Sequence, residues 1–215
     1  MRFPDRFKAG QLLAEKLDHY AYRRDVIVLT LPPGGVPVGY EVAKVLNAPL
    51  DILVIRRLGF PNNPTLAMGA VCADGALVLN HELIPWLNIG GAKLDDVIAV
   101  ERAKSQRLDK AYRNDALRLE LRDKFAILVD DGMTTASAML TAIAILRLRH
   151  PARIVIAVPV ASHSSVLDLL AQVDKVITYS MPNEFETVAQ WYEDFEEISE
   201  ESVRDLYERA RGRFR

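Results

Sequence analysis

Cysteine is almost missing from this sequence: Cys72 stands alone among 215 residues. A single thiol excludes an intrachain disulfide and any zinc site built from several thiolates. It lies in the apolar run Ala70-Val71-Cys72-Ala73, which predicts a buried structural thiol rather than a reactive one. Long hydrophobic runs are lacking too. No stretch approaches the roughly 18 apolar residues a membrane span needs, so no membrane partner is expected. The opening MRFPDRFKAG is charged and carries no apolar signal core, which predicts a cytoplasmic protein. Nor does one sign of charge dominate. Lys and Arg number 27 against 29 Asp and Glu, for a net charge of -2 and a pI near 6.1. A protein that grips nucleic acid needs a basic face to meet phosphate, so no nucleic acid is expected either. His19, His81, His150 and His163 are scattered without metal-ligand spacing.

What is present suits a globular enzyme or binding protein. Hydrophobic residues make up 50% and charged residues 26%, enough to build one full core, and the length predicts one α/β domain over 1–215. Short β-branched runs alternate with helical patterns, the signature of a mainly parallel sheet flanked by helices. Asp5 is placed to cap a first helix with a stripe of Leu13, Leu17 and Tyr20. The strands expected are Val26 to Leu31, Asp51 to Leu58, Phe125 to Val129, Arg153 to Val160 and Lys175 to Tyr179. A helix is expected over Val36 to Leu46, and another capped by Asp95 and running to about Tyr112, which either lines the site or makes a dimer contact. Gly59 to Pro64, rich in Gly, Pro and Asn, reads as a lid loop. Ala70 to Asn80 reads as a hairpin turning at Asp74-Gly75. Together 59–80 and 181–215 are expected to form a small hood.

The chemistry-bearing segment is Phe125 to Met139, FAILVDDGMTTASAM. An apolar strand ends in Asp130-Asp131, and a run of small and hydroxylated residues then opens a helix. In open parallel sheets ligands sit beyond the carboxyl ends of the strands, so both acids are delivered to that edge. The loop Thr134 to Ala138 is small enough for its N–H groups to close around a phosphate, aided by the helix dipole. Two acids repel a bare phosphate. They suit hydroxyls or a hydrated cation, and a phosphorylated sugar satisfies both halves. The ordinary structural alternative is a strand end and a helix cap, which accounts for one acid but not for two.

This segment resembles the 5-phosphoribosyl-1-pyrophosphate signature of type I phosphoribosyltransferases. The resemblance extends to AGQLLAEKL, LPPGGVPVGYEVA, APLDILVIRRLG, LAMGAV and WYEDF, so it covers most of the chain and a bacterial group of predicted phosphoribosyltransferases. It implies a Rossmann-like core and transfer of a phosphoribosyl group from phosphoribosyl pyrophosphate (PRPP) to a nucleobase or other small nitrogen nucleophile, with Mg²⁺ as cofactor. Asp130 and Asp131 are then the catalytic pair on the ribose hydroxyls, holding the metal indirectly. Thr134, Thr135, Ala136, Ser137 and Ala138 take the 5′-phosphate. Pro33, Gly34 and Gly35 approach the pyrophosphate, and Arg56 and Arg57 neutralise it. Trp191 and Tyr192 either stack on a base or plug the C-terminal helix.

The chain departs from the pattern at Ala136 and Ala138, and at Pro33, where the group commonly has arginine. The lost cation favours a rival reading, a non-catalytic sensor of PRPP or nucleotide. A magnesium-dependent phosphate-ester hydrolase is a third. A homodimer is the expected assembly by frequency among soluble oligomers.

Overall fold

The structure is a computed structural model that describes residues 2–61, 63–114 and 116–214, and of Pro64 only the backbone. Asp5 has extended backbone and accepts the Lys8 N–H at 2.6 Å, starting α1 (Arg6–Glu15) as its sequence position predicts. Leu13, Leu17 and Tyr20 are buried, although the helix ends at Glu15 and Tyr20 sits in the following 3-10 turn.

Five parallel strands make the main sheet: β1 (Val26–Thr30), β2 (Leu50–Ile52), β6 (Phe125–Val129), β7 (Arg153–Val160) and β8 (Lys175–Ser180). Their order is β2-β1-β6-β7-β8. Alternate side chains serve opposite faces, as the pleat requires. Ile27, Leu29, Ala126 and Leu128 pack under α5 (Ser137–Arg147), while Val26, Val28, Ile127 and Val129 pack against α1 and α2 (Gly35–Leu46). Both faces are covered, which is why these strands are continuously apolar. From β1 the chain steps outward to β2, then returns to β6 on the other side of β1. The reversal puts a topological switch point between β1 and β6, where two strand-end loops diverge and leave a crevice.

A second, antiparallel sheet of β3 (Ile55–Phe60), β4 (Asn63–Cys72) and β5 (Leu77–Leu79) stands beside this edge. It corrects two expectations. Asp51 to Leu58 is not one strand: residues 50–52 pair with β1, then Leu53 and Val54 carry the chain away, and Ile55 onward joins the small sheet. Nor is most of Gly59 to Pro64 irregular loop: β3 runs to Phe60 and β4 begins at Asn63. Leu58 to Phe60 pair with β4 through register shifts on both sides of Gly59, a bulge that a residue without Cβ tolerates. Asn62, in the same segment, lies outside the described residues. Beyond this turn, Ala70 to Asn80 does fold back at Asp74-Gly75 as expected, with β5 on β4.

After the short α3 (Leu83–Trp86), α4 spans Gly91–Arg113. Asp95 does not cap it. The cap position is Gly90, with extended backbone, and Asp95 lies in the second turn. Ser162 caps α6 (His163–Leu170) through the Ser165 N–H, at 3.1 Å. The last helix, α7 (Glu200–Gly212), packs on α2, α4 and β2. Before it, Tyr192 reaches the strand-end acid Asp131 through its hydroxyl.

Candidate active site

The loop after β1 and the loop after β6 form the switch-point crevice. The first, Leu31 to Gly35, runs through a cis Pro32-Pro33 bond and opens α2. Gly34 has ordinary helical angles, φ -63 and ψ -36, so positive φ is not why glycine stands there. The reason is proximity. A Cβ on Gly34 would fall on Asp131 Oδ2, and one on Gly35 would sit 2.8 Å from the Val129 carbonyl and 3.0 Å from Asp130 Oδ1. The two glycines let this turn rest directly on the acid pair.

Asp130 and Asp131 have different surroundings. Asp130 Oδ1 accepts the Asp131 N–H at 2.9 Å. Burial raises its carboxyl well above the usual range, and the neighbouring Asp131 charge adds to the shift. Burial also raises Asp131, opposed by Arg6, whose Nε donates to Asp131 Oδ2 at 2.8 Å.

The second loop is braced from below. Met133 N–H donates to Val160 O at 2.9 Å, and Ser162 N–H donates to Met133 O at 3.0 Å. The Ser162 hydroxyl donates to Thr134 O, also at 2.9 Å. Ala136 is buried in the core beneath, while Thr135, Ser137 and Ala138 stay exposed. No side chain caps α5 at Ala136. An uncapped helix start with hydroxyls beside it is an anion-binding geometry.

Between these loops and β3 opens a cavity of about 520 Å³. It brings together Pro33, Asp130, Arg56 and Arg57, with Thr135 of the second loop and Ser137 and Ala138 of the first turn of α5. Gly34 and Gly35 lie beneath it, against the acids. Arg56 Nε pairs with Glu101 of α4 at 2.9 Å. Burial pushes Glu101 up, but hydrogen bonds from Lys104 and Arg56 outweigh it and hold the acid below its ordinary value. Leu108 and Tyr112 of α4 add an apolar wall, so this helix does line the cavity.

Trp191 and Tyr192 do not line it. Tyr192 is buried, 5.4 Å from the Phe3 ring and 5.1 Å from Phe195, and its hydroxyl donates to Asp131 O at 2.5 Å. Its role in this geometry is to hold the acid loop. Trp191 packs beside Phe185. Cys72 is buried and donates to Val54 O at 3.2 Å, the structural thiol that its apolar run predicts. Sequence reasoning missed Arg6, Glu101 and the brace that the Ser162 hydroxyl gives Thr134 O. Asp5 announced that Arg6 would begin a helix, but no local signal links it to an acid 125 residues away.

The phosphoribosyl transferase domain family matches residues 60–194. This chain belongs to that family. A Mycobacterium tuberculosis H37Rv protein named "Putative phosphoribosyl transferase Rv0571c" is 36% identical over 212 residues, covering 99% of this chain and 48% of that protein. The chain thus spans about half the length of the curated relatives it matches. The crystal structure of TT1426 from Thermus thermophilus superposes with a TM-score of 0.86 at 36% identity, covering 96% of this chain and 98% of that one. A Neisseria gonorrhoeae hypothetical protein with bound ppGpp, 12% identical with a TM-score of 0.51, covers 97% of this chain and 94% of its own. At that identity it shares the fold alone. The family match takes in the acid pair and the loop after β6, whereas the glycine turn and Arg6 precede it. Among the described residues, no three or more His, Cys, Asp or Glu are grouped to hold a metal ion, and no helix is long and apolar enough to cross a membrane.

Proposed function

We propose that the chain binds PRPP with Mg²⁺ at the β1/β6 switch point and transfers its phosphoribosyl group to a nucleobase or other small nitrogen nucleophile, releasing pyrophosphate. The carrying observation is the 520 Å³ cavity, in which Asp130, the uncapped start of α5 and the Arg56-Arg57 pair face one space. Each part matches one part of PRPP: the acid meets ribose hydroxyls, the helix start takes the 5′-phosphate, and the arginines take the pyrophosphate.

Displacement at the anomeric carbon passes through an oxocarbenium-like state, so little covalent work falls to the side chains. They hold the donor, stabilise charge on the leaving group and keep water out. Mg²⁺ suits hard oxygen ligands, and Asp130 and Asp131 would hold it indirectly, through ribose hydroxyls or water. When bound, it neutralises charge on the pyrophosphate. The acceptor then lies on the far side of the ribose from the Pro33 turn.

Two observations favour a second reading, a sensor that binds without turnover. Pro33 brings no cation to the cavity, and the Arg56 charge is already shared with Glu101. Calorimetric titration of PRPP with Mg²⁺ into the wild type and the Asp130→Asn/Asp131→Asn double variant tests the site. Binding in the wild type that disappears in the variant is the expected result, and equal binding in both would reject the site. Pyrophosphate release that requires an added base identifies the transferase. Binding with no release across a panel of bases identifies the sensor.

A further inference from the structure

Arg6 has no part in the reading above, yet among the described residues it makes the ion pair at the acid doublet. Its placement is tightly specified. α1 lies so close on α2 that a Cβ on Gly10 would come within 3.0 Å of Val38 Cα. From the start of α1 the Arg6 guanidinium stacks 3.7 Å over the Phe195 ring, and its Nη1 donates to Glu196 O at 2.8 Å. Its Nε donates to Asp131 Oδ2, with side-chain exposures of 9% and 14%. The Asp131 carbonyl is held separately by Tyr192. Gly34 lies against the same carboxylate oxygen, and its missing Cβ leaves room for Oδ2. Asp130 lines the cavity and Asp131 does not.

We propose that Arg6 is a positioning residue that divides the acid pair. It holds the Asp131 carboxylate against Gly34 and so sets the Pro32–Gly35 turn, while Asp130 is left as the acid facing the ligand's hydroxyls. A planar guanidinium suits this task because it donates in a fixed fork and stacks on an aromatic ring at once, which an ammonium cannot do. The consequence is selective. The turn borders the pyrophosphate end of the cavity, so Arg6 governs affinity for a ligand that carries pyrophosphate and not for one that lacks it.

The inference rests on the reading of the cavity as a PRPP site, and the test separates the two. Wild type, Arg6→Lys and Arg6→Ala are titrated with PRPP and with ribose 5-phosphate in Mg²⁺, with melting temperatures recorded. Arg6→Ala is expected to weaken PRPP about ten- to a hundredfold, the cost of a small misplacement. Ribose 5-phosphate is expected to change by less than about twofold, within the effect of a distant surface change. Arg6→Lys, which keeps the charge and the helix, should show the same selectivity to a smaller degree and carries the comparison if the alanine variant does not fold. Equal weakening of both ligands, or no change in either, overturns the inference. A wild type that binds neither ligand overturns the PRPP reading itself, and the inference with it.

Discussion

The carboxyl of Asp130 is raised first by burial and then by the charge of Asp131. A folded-state value above the unfolded one means the folded protein holds this proton more firmly. Stability is therefore fully present below the ordinary carboxylate range and is lost as pH rises from there through the raised folded value. Above the ordinary carboxylate range the acid therefore burdens the fold. Asp130→Asn should then stabilise the unliganded protein at pH 7 by about 1 kcal/mol, or roughly 2–4 °C in melting temperature, with the gain shrinking below about pH 4. Scanning calorimetry across pH checks this, and a variant that is less stable at pH 7 contradicts it. The same variant should lose PRPP binding, the usual opposition between a functional acid and stability. Cys72 offers a simpler test. Burial raises its thiol above the ordinary value and only 2% of the residue is exposed. A thiol reagent should label it only after unfolding; rapid labelling of the native protein would mean that the Cys72 region opens.

Among the elements, α2 carries the most demanding contacts, because its first turn rests on the end of β6 while its middle crosses β1. Gly35→Ala would bring a methyl to 2.8 Å from Val129 O, which is backbone and cannot swing aside. A loss of about 1–3 kcal/mol in urea unfolding is expected, together with weaker PRPP binding because the turn must move. Gly39→Ala is the control. Its methyl would meet the Thr30 side chain, so stability should fall by a similar amount with ligand affinity nearly kept. If both variants lose affinity equally, the turn has no special role. The hairpin β3–β4 was the element least legible beforehand. Gly59, Pro61 and Pro64 are loop-forming residues by local preference, and only pairing with β4, distant from the Ile55 end of β3 in sequence, makes strand of most of that segment. Gly69 on the partner strand has φ 157, and a Cβ there would strike Val78 O, a constraint that local patterning cannot reveal.

Across the whole molecule, a buried charge cluster joins parts of the chain that no repeat or motif connects. Arg113 at the end of α4 pairs with Asp51 of β2 and, at 2.8 Å, with Asp109, and its Nη1 donates to the Tyr207 hydroxyl of α7 at 3.0 Å. The Arg113 and Asp51 side chains are 3% and 1% exposed. Burial and the Asp51 charge push the Tyr207 phenol up to about 12, so it stays protonated and keeps donating to Asp51. Arg113→Met would leave Asp51 in the interior without its cation, while Asp109 keeps Arg118, and should cost about 3–5 kcal/mol, read by chemical denaturation. A loss below about 1 kcal/mol would mean that water reaches the cluster, as at an exposed pair. The cluster anchors α4, and α4 supplies Leu108, Tyr112 and the Glu101 partner of Arg56. Loss of Arg113 should therefore loosen the cavity wall as well as the fold.

The sequence by itself determined the parallel core and the delivery of Asp130 and Asp131 to its edge, because strand period, apolar runs and the change to small residues are local signals. It also announced the loop into α5 and the first helix at Asp5, since capping and turn chemistry act over a few residues. Tertiary structure alone decided which acid faces the cavity, because Arg6 and Tyr192 reach Asp131 from opposite ends of the chain. It likewise decided why glycine stands at 34 and 35, which is contact with the acid pair and not backbone freedom. The cavity wall from α4 and the pairing of Arg56 with Glu101 belong to the same class. Contacts between residues far apart in sequence leave no periodic trace, and only the folded chain brings them within bonding distance.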